Sequence, residues 1–448
     1  MSEKMHTGPR AFLSVLVMVV ALFLATLAGC SGSPPPTSPA PVESPATAVA
    51  STTATSPTPS PAQTPIGPAT APITLTIWGP EQFGPREGNA GAGVLQAQYQ
   101  AFTEENPDIG VEYVRKAPYG QVGVQRFLLL ASYAAPDTLP DVAIVDPFEL
   151  GSLVRAGLAQ PLQELIAEEL RADLFAFAQE ACTFNDHLMA LQFEADTEHL
   201  IYYTKGLAAP PATWGELFGS PISYIFPAAG QEGLVNDAFL IQYFDQGGQL
   251  VDAEGIPALD ESAVRQVLRL YNAGVNFEVV PPEVLELANL EDCWEAYIEG
   301  NITVSHISSW RYLASRDLLE DTAFAPLPTA TGRAATMSRG WAFVIVTADP
   351  QRQQAAAHLI EWLMTPENLA EWSFATNHLP ARRSALPLVG WPTSYADFVE
   401  TQLEIAFFRP STPEFERITR ALQVAVKDVL SGERSPWDAT SRVMSSLD

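Results

Sequence analysis

The chain has 448 residues, 52 acidic against 24 basic side chains, a net charge of −28 and an apolar fraction of 47%. So acidic a chain, with only four lysines, excludes a nucleic-acid surface, because phosphate backbones are gripped by clustered cations. The length exceeds what a single hydrophobic core usually serves, so two domains are expected.

Lys4 and Arg10 precede residues 11–28, AFLSVLVMVVALFLATLA, which carry no charge. A basic start followed by an apolar run is the layout of an export signal, although an uncleaved membrane anchor has the same length. The small residues Ala28 and Gly29 ahead of Cys30 favour cleavage. "LAGC" resembles the bacterial lipobox, so residues 1–29 are expected to be a signal peptide and Cys30 to carry lipid. From Ser31 to Pro72, 12 of 42 residues are proline and Glu43 is the only charge. Proline lacks an N–H and fixes φ, and without large apolar side chains nothing offsets the entropy of ordering. Residues 30–72 therefore read as a tether, with a reach of up to about 120 Å if fully extended.

"ITLTIW" (73–78) alternates in the manner of a strand, and a helix is expected over 93–105 with Leu95, Tyr99 and Phe102 on one stripe. "IGVEYV" (109–114) and "DVAIVD" (141–146) follow as strands, then a helix carrying Leu150, Leu153 and Val154. Further strands are expected at 188–193, 199–204, 301–307 and 341–346, and helices at 353–364 and 414–430. In the last helix Phe415, Ile418, Leu422, Val426 and Val429 form one buried face. Strands alternating with helices indicate an α/β fold with a parallel sheet.

No Gly-rich phosphate loop with its lysine, no His-Glu-x-x-His and no Gly-x-Ser-x-Gly is present. Paired carboxylates for glycoside hydrolysis remain open in so acidic a chain, but no spacing singles out a pair. Tyr202–Tyr203 could suggest a ferric site, yet adjacent strand residues point to opposite faces. After export the remaining cysteines are Cys182 and Cys293, which an oxidising compartment allows to pair; two separately buried thiols are the alternative. Aromatic residues at strand ends stand out: Trp78, Trp310 and Trp341. Open α/β sheets bind ligands beyond the carboxyl ends of their strands, where Trp78, Asp146 and Trp310 fall, with Glu81 and Gln82 in the adjoining loop. Indole faces stack on sugar C–H faces while carboxylates and amides take the hydroxyls. Core packing is the competing role for each tryptophan, and Trp214 and Trp362 read as structural.

In order along the chain, "FTEENPDIGVEYV", "LPDVAIVD", "LMALQFEADTEHLIYYTKGLAAPPATWGEL", "CWEAYIEGNITVSHISSW", "RGWAFVIV" and "HLIEWLMTPENLAEWSFATNHLPARRSAL" resemble the extracellular solute-binding proteins of ABC importers, in the sugar-binding group related to maltose-binding protein. The resemblance covers nearly all of 73–448. It implies a two-lobed, periplasmic-binding-protein-like fold of type II. Its lobes would be 73–192 with 341–364 and 193–340 with 365–448, crossing near 191–195, 339–341 and 364–366. It implies a ligand site between the lobes built from Glu81, Gln82, Asp146, Glu194, Asn236, Trp310, Arg339 and Trp341. Arg339 stands where relatives often have glycine, and with Arg382 and Arg383 it suggests an acidic ligand such as a uronate. The resemblance further implies a lipid-anchored monomeric receptor without catalysis or cofactor, which passes a sugar or oligosaccharide to ABC permease subunits. A surface glycosidase and a receptor for another solute are the alternatives.

Overall fold

The computed structural model describes residues 66–68, 71–84, 90–252 and 255–447, so the expected signal peptide, Cys30 and most of the tether lie outside it. Strands Ile73–Pro80, Ile109–Lys116 and Val142–Val145 run parallel, with Ile73–Pro80 between the other two. Parallel neighbours need a crossover, and helices Ala90–Glu105 and Val124–Ala134 supply it. The outer strand's free edge is engaged by Ile66, whose N–H and C=O both bond to Val111 (2.8 and 3.0 Å). The chain is thus attached to the sheet six residues before the expected end of the tether.

Two long strands carry the sheet from one core to the other. Leu191–Tyr203 replaces the two strands expected at 188–193 and 199–204, and Thr336–Ile345 pairs antiparallel with it. The first core contains Leu191, Phe193 and Ala195, and the second begins at Leu200. Thr336–Ile345 returns the opposite way, with Met337 in the second core and Trp341 in the first. Beyond Leu191–Tyr203 come Val304–Ser308, antiparallel to it, and the short strand Tyr224–Ile225.

The first core is tied together by Asp141. Its carboxylate accepts the Thr76 N–H (2.8 Å) and two bonds from Arg352 (2.6 and 2.5 Å), which also donates to the Thr74 carbonyl. One acid thereby joins a strand, a loop and the helix Pro350–Leu363. The second core gathers Trp214, Phe226, Tyr271 and the amphipathic helix Phe415–Leu430, whose expected apolar stripe is buried.

Two expectations are corrected here, and one open alternative is decided. Residues 365–403 were assigned to the second lobe, but Leu369, Trp372, Leu379, Tyr395 and Leu403 all pack in the first core. Consequently no crossing occurs at 364–366. The third passage lies near 406–415, where Phe408 packs on the first core while Phe407 and Phe415 join the second. Finally, Cys182 and Cys293 are both buried free thiols. Each sits in a different core, so they cannot approach to disulfide distance.

Candidate functional site

Where the long strands pass between the cores, a cavity of about 250 Å³ opens, lined by Asp196, Glu198, Asn236, Asp237, Glu291, Trp310 and Arg339 among others. Arg339 also borders a smaller pocket of about 20 Å³ with Asp146, Gln192, Gly340 and Arg409. Alternation along Leu191–Tyr203 places Glu194, Asp196 and Glu198 on one face of the strand.

Asp196 anchors the backbone at Trp310. Its Oδ1 accepts the Ser309 hydroxyl (2.6 Å) and the Trp310 backbone N–H (2.9 Å), holding the first turn of helix Ser309–Ser315 against the strand. Among the described residues, no ion pair or further hydrogen bond engages Oδ2. Burial pushes the Asp196 carboxyl up, opposed by those two bonds and by the charges of His378 and Arg339. The half-buried Trp310 ring stacks on His378 (6.2 Å between centroids, 26°), and the Arg311 guanidinium lies 4.8 Å from its centroid.

The other charges are already paired. Asp237, wholly buried, accepts Arg339 Nε and Arg409 Nε, each at 2.6 Å. Burial alone would raise its carboxyl, but the two guanidinium groups win and hold it below the usual range. Arg339 also reaches Glu198 (3.4 Å), which lies 2.8 Å from His306 Nε2. Arg311 pairs with Glu291. Asn236 Nδ2 donates to the carbonyls of Pro227 and Ala288 (both 3.1 Å). Among the described residues, no group of three or more His, Cys, Asp or Glu is arranged to hold a metal ion.

Of the residues singled out in the sequence, Trp310, Asn236 and Arg339 line the larger cavity and Asp146 the smaller. Asp146 caps helix Pro147–Arg155 through the Phe148 N–H and accepts the Tyr119 hydroxyl at 2.8 Å. Burial raises its carboxyl against both bonds, and the Asp146 charge adds to the burial that lifts Glu149 to about 8. Glu194 is buried beside the cavity, ion-paired with His378 at 2.8 Å.

The remaining candidates fall elsewhere. Trp78 is buried in the first core under the Lys116 ammonium (4.4 Å). Trp341 is buried against Phe83 (5.2 Å) and Tyr119 (5.4 Å). Glu81 and Gln82 are exposed on a short helical turn, with Glu81 3.9 Å from Arg115. Arg382 clamps Asp173 (2.6 Å) and the Met364 carbonyl, a structural role. Arg383 pairs with Glu404. Neither arginine lines the larger cavity, and each already has a carboxylate partner.

Sequence reasoning missed Asp196, Glu198, Asp237, Glu291 and His378. For the first two the signal was present: acids at 194, 196 and 198 interrupt an otherwise apolar strand. Asp237 and Glu291 begin helices in loops with no such pattern, and His378 stands alone in a turn.

A profile of the bacterial extracellular solute-binding protein family matches residues 97–398. A maltotriose-binding protein of Pyrococcus abyssi is 24% identical over 350 residues, covering 75% of this chain and 74% of that one. Among solved structures, the sugar-binding protein MalE of Xanthomonas citri superposes with a TM-score of 0.70 at 21% identity, covering 84% of this chain and 96% of the other. The cyclic alpha-maltosyl-1,6-maltose binding protein of Arthrobacter globiformis gives 0.69 at 20% identity, covering 84% and 98%. At these identities the structural likeness is one of fold, the two-lobed type II architecture.

Proposed function

The chain belongs to the bacterial extracellular solute-binding protein family, and from that premise we propose that it captures a carbohydrate in the cavity at Trp310. It is a binding protein and not an enzyme. The observation that carries the carbohydrate reading is the half-buried Trp310 indole, its backbone anchored by Asp196, sharing one cavity with that carboxylate where the long strands pass between the cores. An indole face suits the C–H face of a pyranose, and Asp196 Oδ2 and the amide oxygen of Asn236 suit its hydroxyls. The sugars named for the relatives agree with this reading.

Selectivity follows from charge. Among the described residues Asp196 makes no ion pair, while Arg339 and Arg311 are held by Asp237, Glu198 and Glu291, so the cavity disfavours anions and accepts neutral sugars. A uronate would have to displace Asp237 or Glu198 from Arg339. Closure of the two lobes is a population shift, because a ligand that touches both favours the closed state. Cys30, in "LAGC", is proposed as the lipid anchor, with the tether leading to the sheet and ABC permease subunits receiving the sugar.

A thermal-shift panel with neutral malto-oligosaccharides, glucuronides, polyamines and peptides tests the assignment. Stabilisation by neutral oligosaccharides alone is the expected result. Selective stabilisation by a peptide, polyamine or glucuronide would replace it.

A further inference from the structure

We propose that His378 is the positioning residue of the sugar platform, ion-paired to buried Glu194 and stacked on both Trp372 and the cavity-lining Trp310; this rests on the carbohydrate reading of the site. His378 follows Asn377, whose left-handed φ of 59° ends helix Pro366–Thr376 and turns the chain back toward the strand. The next residues, Leu379–Pro380, pair with Ala195 and Glu194. The backbone thereby sets the imidazole beside the strand that passes between the cores. Its ring is nearly parallel to Trp372 (5.8 Å, 8°), which is buried in the first core, and to Trp310 (6.2 Å, 26°). Phe83 closes the cluster at 6.4 Å. The imidazole therefore bridges a fixed indole and the one at the ligand.

The bridge depends on charge. Nδ1 of His378 lies 2.8 Å from Glu194 Oε1, and the Glu194 side chain is only 3% exposed, so a neutral imidazole leaves a buried carboxylate without a counter-charge. Burial opposes protonation of His378, yet Glu194 and then Asp196, both on the adjacent strand, outweigh it and raise the imidazole above its ordinary value. Asp146 adds to the negative field at Glu194. From the helix Ser309–Ser315, Arg311 lies over Trp310; from Pro366–Thr376 and the turn at Phe83, the facing rings are uncharged. Burial raises the Glu194 carboxyl as well, so the pair is intact where Glu194 is ionised and His378 still protonated, and is lost as pH rises through the raised imidazole value. Trp310 is then free to tilt.

The test uses the full chain with maltotriose as ligand, in calorimetric titrations from pH 6 to 9, and the Trp310 indole N–H resonance of the ligand-free protein, assigned with Trp310→Phe. Wild type should lose on the order of tenfold in affinity across the alkaline limb, with the Trp310 resonance moving in step. The double variant Glu194→Gln/His378→Phe keeps the ring stack and removes the buried charge, and should show neither effect. His378→Gln should bind on the order of tenfold more weakly at pH 6. A Trp310 resonance insensitive to pH in wild type, or the same pH profile in the double variant, overturns the proposal. If maltotriose gives no heat with wild type while the resonance titrates as described, the carbohydrate reading fails and the positioning role of His378 stands.

Discussion

Arg339 and Asp237 meet across 2.6 Å where a strand passing between the cores faces a helix of the second core. Arg409, from the third passage, closes on the same carboxylate at the same distance. Two of the three chain passages are thus pinned to one buried acid. Breaking a buried pair by removing one partner leaves uncompensated charge. Asp237→Asn should therefore cost about 2–3 kcal/mol, less than a fully buried pair because Arg339 still meets water. Its depressed carboxyl contributes stability that is complete above the ordinary carboxylate range and is lost as pH falls through the folded value. Urea unfolding at pH 7 and pH 3 checks both: the gap between wild type and variant should shrink at pH 3.

His199 gives a second acid dependence. Its Nδ1 lies 2.9 Å from the Leu200 carbonyl, which only accepts, so Nδ1 carries the proton and Nε2 accepts from the Tyr395 hydroxyl (3.1 Å). Burial lowers its pKa to about 4, with the backbone bond acting the other way. A lowered histidine binds protons in the unfolded chain first, so stability falls between about 6.5 and 4 as pH drops, by roughly 3 kcal/mol if complete. Unfolding free energies of His199→Gln should lack this slope between pH 6.5 and 4; an unchanged slope would contradict it.

Gly340 is required by the close approach of the two passing strands. A Cβ there would land on the Glu194 carbonyl oxygen and the Gln192 side-chain amide, next to the register shift between Trp341 and Ala342. Gly340→Ala should destabilise by at least about 3 kcal/mol or fail to fold, read as melting temperature and soluble yield. Gly432→Ala, which meets nothing within 4 Å but has φ +75°, should cost about 1 kcal/mol.

Neither Cys182 nor Cys293 forms a disulfide, and burial raises both thiols. Reductant should leave the melting temperature unchanged. Ellman's reagent should find both thiols silent in the folded head and reactive together on unfolding.

Much of the first lobe was legible because its strands are short, mainly apolar runs between helical stripes, as at 109–114 and 142–145. The long strand Leu191–Tyr203 was not, because Glu194, Asp196 and Glu198 look like a loop until their distant partners His378, Ser309, His306 and Arg339 are in place. The tryptophans show the same limit. Trp78, Trp310 and Trp341 all read as strand-end residues, yet Trp341 lies inside Thr336–Ile345, and Trp78 and Trp341 are covered by residues remote in sequence, Lys116 for the first and Phe83 for the second. Local pattern reveals that an aromatic residue closes a strand; only the packing of the whole chain decides whether its face meets a ligand. The lobe boundary failed for a related reason, since the helices at 366–376 and 393–405 would suit either core by their own amphipathicity.

The most direct measurement is a calorimetric titration of maltotriose into the head at neutral pH, alongside Trp310→Ala. Saturable binding of one ligand per chain, weakened by about 1–3 kcal/mol in the variant, is what capture at this indole predicts. Equal affinity in both proteins, or the appearance of shortened sugars in the cell, would contradict it.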